Sequence, residues 1–115
     1  MARIKSEDRL QQECYIWFHN TYPKLRGLLF HVPNGGNRSG REGNKFKGMG
    51  VVSGVADLLF IYKGNLYAIE LKKIDGTQSP KQKVWEALVK EHGVKYYIVR
   101  TFEDFKVLVN VILLK

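Results

Sequence analysis

At 115 residues with a single cysteine, Cys14, the chain excludes an internal disulfide and suits a reducing compartment. No apolar run reaches the length of a membrane span, and the N-terminus, Met-Ala-Arg-Ile-Lys-Ser-Glu-Asp, lacks the apolar stretch of a signal peptide, so a cytoplasmic protein without a membrane partner is expected. A net charge of +8 favours a polyanionic partner, nucleic acid first.

In chain order, Ser6 is suited to cap a helix whose first turn holds Glu7 and Asp8. Leu10, Cys14, Trp17 and Phe18 follow at helical spacing, and Pro23 sets the limit of that helix. Glu7 and Gln11 are four residues apart and share a face; by spacing alone Glu7 reads as a solvated first-turn acid. Residues 27–32 read as a short strand, stopped by Pro33-Asn34-Gly35-Gly36. The irregular span 37–53 carries Arg38, Arg41, Lys45 and Lys47 among glycines. Two readings of it stand equally: contact with a phosphate backbone, or a solvated loop.

Residues 54–72 read as two apolar strands joined by a tight turn at Lys63-Gly64-Asn65, interrupted by Asp57, Glu70 and Lys72. A two-residue loop at Lys63-Gly64 puts Asp57 opposite Glu70; one at Gly64-Asn65 puts it opposite Lys72. Either register gathers the three charged residues on one face, because side chains alternate with period two. The plain reading is a structural salt bridge from Lys72 to Asp57 or Glu70. Leu58, Phe60, Tyr67, Ile69 and Leu71 fall on one face and Leu59, Ile61, Leu66 and Ala68 on the other, as in the middle of a covered sheet.

A polar turn, 73–78, leads to Ser79-Pro80-Lys81-Gln82, which has the form of a capping box, so the local role of Gln82 is a cap. Val84, Trp85, Leu88 and Val89 make the expected buried stripe, and Gly93 ends the helix after His92. Residues 94–100 read as a strand, which makes 66–100 a parallel crossover. Thr101 caps a last helix whose tail, Val107 to Leu114, is apolar nearly all round. That excess predicts burial against a partner chain, with a terminal strand as the alternative. The order is α-β-β-β-α-β-α, an α/β fold with a mixed sheet of about four strands flanked by helices.

Two carboxylates on adjacent strands form a hard-oxygen site for Mg²⁺ or Mn²⁺. The backbone carbonyl of Leu71 lies between them as a further ligand. Lys72 would position or deprotonate the attacking water, or neutralise charge building in the transition state. If the first helix packs beside the hairpin, Glu7 adds a ligand and Gln11 an orienting amide. Other chemistries fit worse. No glycine-rich phosphate loop precedes a helix, His19, His31 and His92 lack zinc spacing, and no serine or cysteine triad signature is present. His31 reads as a strand-end histidine.

Asp57 followed by Glu70-Leu71-Lys72 resembles the PD-(D/E)XK nuclease motif, and the chain as a whole is similar to the VRR-NUC family of that superfamily. Ser6-Glu7 with Leu10-Gln11 resembles the family's helical Glu…Gln element, and His31-Val-Pro-Asn34-Gly-Gly its Asn-Gly loop. Gly54-Val-Ala-Asp57-Leu, Ile69-Glu70-Leu71-Lys72 and Gln78-Ser79-Pro80-Lys81-Gln82 resemble its remaining blocks. Ala56 stands where the family's motif has proline, a residue that shapes the start of the strand and does no chemistry.

The resemblance implies a restriction-endonuclease-like core, with residues 1–115 as one nuclease domain. It implies a DNA endonuclease dependent on Mg²⁺ or Mn²⁺, selective for Holliday junctions or other branched DNA, and a homodimer. Metal ligation would fall to Asp57, Glu70 and Glu7 with the Leu71 carbonyl, catalysis to Lys72 with Asp57, Glu70 and a nearby Gln82. DNA contact would fall to Asn34, Arg38, Arg41, Lys45, Lys47, Lys73 and Lys81. The alternatives are a non-catalytic nucleic-acid-binding module of the same fold and a sequence-specific restriction-type nuclease.

Overall fold

The computed structural model describes residues 5–33 and 47–115. Asn34, Arg38, Arg41 and Lys45 lie outside the described residues. Helix α1 (Glu7–Thr21) starts on Ser6, whose side chain accepts the Arg9 N–H, and stops before Pro23, which opens a short 3-10 turn. Strand β1 (Leu29–His31) follows. Strands β2 (Leu58–Tyr62) and β3 (Asn65–Leu71) form the central hairpin, α2 (Pro80–Glu91) and β4 (Lys95–Val99) come next, and α3 (Phe102–Leu113) closes the chain. The sheet order is β1-β2-β3-β4, with the first two pairings antiparallel and β3–β4 parallel. This is the expected α/β arrangement, a mixed four-stranded sheet flanked by three helices.

The hairpin pairs Leu58 with Ile69 and Tyr62 with Asn65, so the loop is Lys63-Gly64. Both loop residues have positive φ, 50° and 78°. A hairpin turn of this length needs that hand to match the twist of the strands, and asparagine is therefore not required inside the loop. Of the two registers open to the sequence, this one carries Asp57 to the position opposite Glu70, one step beyond the Leu58–Ile69 pair.

Alternation divides the core in two. Leu58, Phe60, Tyr67, Ile69 and Leu71 face α1 and α3, meeting Leu10, Cys14 and Phe18 from one and Phe105, Val109 and Ile112 from the other. Phe18 packs edge-on against Phe60 at 5.3 Å between ring centroids. The opposite face is thinner. Ala68, Tyr96 and Ala56 are covered by Leu59, Trp85, Val89 and Val94. The apolar contact of helix α2 with the sheet runs through Trp85 and Val89. Val84 and Leu88, expected inside, are 70% and 53% exposed, because the helix is rolled so that the indole lies over Tyr96.

The apolar tail is helical, and the strand alternative falls away. Phe105, Val109 and Ile112 face inward, while Val107, Val111 and Leu114 form an outward stripe, exposed by 60%, 47% and 87%. Among the described residues, no helix is long and apolar enough to cross a membrane.

Candidate active site

The site lies where β3 ends. Asp57 sits just ahead of β2, and its backbone carbonyl accepts the Val32 N–H at 3.2 Å while lying 2.7 Å from His31 Nδ1. Its side chain turns to the other neighbour, where Oδ2 accepts the Leu71 N–H at 2.8 Å. The ladder residue before Leu58 is thus replaced by a carboxylate, which ties β2 to the last residue of β3. Burial raises the Asp57 carboxyl above the usual range, against the lowering pull of the Leu71 N–H and of Lys72.

Glu70 is fully buried, on the face toward α2. Its Oε1 accepts the Tyr96 hydroxyl at 2.7 Å, and its Oε2 has no hydrogen-bond partner. Burial raises this carboxyl too, offset in part by the Tyr96 hydrogen bond and by Lys72, and reinforced by Asp57. Tyr96 ionises far above the ordinary tyrosine range, first because it is buried and then because Glu70 faces it, so it remains a neutral donor.

Lys72 is buried at 8% exposure just past the strand, its N–H held by the Val99 carbonyl. Its ammonium finds neither Asp57 nor Glu70. The ion pair runs instead to Glu7 Oε1 at 3.9 Å, because β3 ends beside the first turn of α1. Glu7 Oε2 also accepts the Lys73 N–H at 3.4 Å. The first-turn acid is therefore not merely solvated; the fold brings it to the lysine. Among the described residues, no three His, Cys, Asp or Glu side chains stand close enough together to form a complete ligand cluster.

A cation fits what is present. An unpartnered carboxylate oxygen in a buried position is costly, and Glu70 Oε2 is the one buried side-chain polar atom of this kind among the described residues. The carboxylates at hand, Glu70 and Asp57, whose charges act on one another, are both oxygen donors. That is the donor set of Mg²⁺ or Mn²⁺, with waters completing the shell.

Other expected residues lie around this centre. Gln82 closes the capping box at the start of α2, its Oε1 accepting the Ser79 N–H at 2.8 Å while Ser79 Oγ accepts the Gln82 N–H at 3.2 Å. With Lys81 it lines a cleft of about 300 Å³ whose other wall is Val51, Val52, Ser53 and Gly54. Gly54 makes that approach possible, since a Cβ there would come within 2.4 Å of the Lys81 carbonyl oxygen. Gln11 instead lines a separate groove with Tyr15, Ile16, Phe30 and His31. Lys47, Lys73 and Lys81 are all exposed.

Three residues near the site are given no role by the sequence, although Gln78 stands in one of the motif blocks. Tyr96 reaches Glu70 through a parallel register, Ala68 against Tyr96, which no turn encodes. Gln78 donates to Glu86 at 3.0 Å and to the Tyr96 oxygen at 3.5 Å. Arg100 donates to the carbonyls of Lys73 at 2.9 Å and Gly76 at 2.7 Å, pinning the turn that follows Lys72.

No protein-family model matches the chain, and no curated protein matches it either. Solved structures share its fold, two of them as follows. One, described as a "VRR_NUC domain protein", superposes with a TM-score of 0.77 at 23% identity, covering 94% of this chain and 88% of its own. Another, described as a "VRR_NUC domain", gives a TM-score of 0.59 at 22% identity over 90% of this chain and 94% of its own. The chain thus has the fold of VRR_NUC domains, in keeping with the resemblance of its motifs.

Proposed function

We propose that the protein is a divalent-metal-dependent DNA endonuclease that hydrolyses phosphodiester bonds, acts selectively on Holliday junctions or other branched DNA, and works as a homodimer. The observation that carries the reading is the buried, unpartnered Oε2 of Glu70 on the strand next to Asp57. A buried carboxylate with a free oxygen, beside a half-buried one, is difficult to explain as packing and is readily explained as half of a cation site. The likeness of fold to VRR_NUC domains supports the same reading.

When bound there, Mg²⁺ or Mn²⁺ supplies Lewis acidity at a phosphate oxygen and a water of lowered pKa. Asp57, Glu70 and the Leu71 carbonyl would hold it. Glu7, paired with Lys72 in the absence of the ion, would be the further carboxylate available to it. Lys72 Nζ orients the attacking water and neutralises charge that grows on the phosphate as the bond to the leaving oxygen breaks. Gln82 and Lys81 border the cleft at the positive end of α2, where a DNA phosphate is favoured. Lys47 and Lys73 extend the basic surface, and the expected contacts at Asn34, Arg38, Arg41 and Lys45 belong to the same DNA-binding role.

The outward stripe of α3 supports the dimer. Val107, Val111 and Leu114 are spaced along one helical face and are exposed. Two copies would present two sites to the two strands of a junction.

Labelled four-way junction, flap and linear duplex DNA, incubated with Mn²⁺ or with EDTA, test the reading. The expected result is metal-dependent cutting that favours the branched substrates. Salt-dependent binding without any cutting would leave the fold as a binding module and overturn it. Equal cutting of all three would retain the nuclease and remove the selectivity.

A further inference from the structure

We propose that Tyr96 is a positioning residue that holds Glu70 with a single oxygen, Oε2, free for the cation, and that Gln78 and Glu86 set the direction of the hydrogen bond that does so. The inference rests on the metal-site reading above.

Four hydrogen bonds form a chain from the surface to the site. Lys90 Nζ donates to Glu86 Oε2 at 3.0 Å, and Gln78 Nε2 donates to Glu86 Oε1 at 3.0 Å. The same amide nitrogen lies 3.5 Å from the Tyr96 oxygen, whose hydroxyl donates to Glu70 Oε1 at 2.7 Å. The chain has one consistent polarity. A charged carboxylate only accepts, so Glu86 requires the NH₂ end of Gln78 to face it. That amide carries two protons, one for Glu86 and one directed at the tyrosine oxygen. A hydroxyl has a single proton. With its acceptor side approached by Gln78, the Tyr96 proton is left for Glu70.

The consequence for Glu70 is geometric. Its Oε1 is taken by a neutral donor at short range, and its Oε2 is left bare in a buried position. The carboxylate therefore meets a cation through one oxygen, in a fixed orientation. Tyr96 is itself rigid. It pairs with Ala68 across the β3–β4 ladder, and its ring lies 6.0 Å from Trp85 on α2. Partners of this kind orient ligands and commonly change metal affinity about 10- to 100-fold when removed.

Calorimetric titration with Mn²⁺, alongside the electron paramagnetic resonance signal of free Mn²⁺, tests this in the wild type, Tyr96→Phe and Gln78→Leu. The expected result is Mn²⁺ binding weakened by about 10-fold or more in Tyr96→Phe, and less but in the same direction in Gln78→Leu. Nicking by both variants should recover at saturating Mn²⁺, because the defect is in holding the cation. Wild-type affinity in both variants would overturn the inference and leave the metal-site reading intact. Absence of Mn²⁺ binding by the wild type is a different result, and it would remove both. Should Tyr96→Phe fail to fold, Gln78→Leu decides, since it keeps the Tyr96 hydroxyl and removes only the amide that steers it and that also acts on Glu70.

Discussion

The Asp57 carboxylate accepts the Leu71 N–H at 2.8 Å, at the end of the hairpin where β2 has no further ladder residue to offer. This one bond fixes the site. It pins Asp57 to the strand that carries Glu70 and leaves Lys72 to turn toward Glu7 at 3.9 Å. It also brings two carboxyls into shared burial, and both are raised above the usual carboxylate range.

The metal-free protein should therefore lose stability as pH rises. The folded state keeps protons that the unfolded chain has already released, so stability falls from the ordinary carboxylate range upward toward neutrality. Asp57→Asn removes one of the two charges and can keep the bond to Leu71. It should raise stability at pH 7 by about 1 kcal/mol and flatten the pH slope. Mn²⁺ at 100 times its Kd should add about 2.7 kcal/mol to the wild type and nothing to the variant. Thermal melts at pH 5, 6 and 7, with EDTA or Mn²⁺, read all three effects.

Gly54→Ala should damage the fold next to the site. Gly54 has φ +83°, and an added Cβ would lie 2.4 Å from the Lys81 carbonyl oxygen and 3.0 Å from the Gln82 nitrogen. Neither backbone can yield cheaply, so a loss of more than about 1 kcal/mol is expected. DNA affinity should fall with it as the cleft opens, measured by fluorescence anisotropy at fixed salt. A variant with unchanged melting and binding would mean that the close approach is dispensable.

Val111→Glu should convert a dimer to a monomer. Val111 lies in the middle of the outward stripe, with Val107 and Leu114 to either side. A carboxylate there cannot be buried without a partner. Light scattering at micromolar concentration should give a dimer mass for the wild type and half of it for the variant. A monomeric wild type would exclude the stripe as an interface.

Cys14 should be silent toward thiol reagents in the native state. It is fully buried between α1 and the sheet, and burial, reinforced by Glu13, pushes its thiol up to about 12. Labelling at pH 8 should follow unfolding, rising across the denaturant transition. Rapid labelling of the native protein would contradict this packing.

Local signals in the sequence carried most of the fold. Ser6, Ser79 and Thr101 each cap the helix they precede, because a short side chain reaching back to a backbone N–H is encoded within four residues. The Lys63-Gly64 loop was one of two open registers, and the Tyr62–Asn65 pairing separates them. Longer-range relations were less legible. Lys72 pairs with Glu7, 65 positions away, rather than with its strand neighbours, since the ion pair depends on where α1 starts in space. Tyr96 reaches Glu70 through a parallel pairing set by a whole crossover, and nothing near either residue marks it. Val84 and Leu88 looked as apolar as Trp85 and Val89, and the roll of α2 chose between the pairs.

The central claim is that Asp57, Glu70 and Lys72 make up a metal-dependent phosphodiester-cleaving site. Nicking of supercoiled plasmid measures it most directly, for the wild type, Asp57→Asn and Lys72→Ala, with Mn²⁺ and with EDTA. The account predicts nicking by the wild type with Mn²⁺ alone, none with EDTA, none by Asp57→Asn, and a loss of about 100-fold or more in Lys72→Ala. Nicking that persists in EDTA, or that is unchanged in both variants, would contradict it.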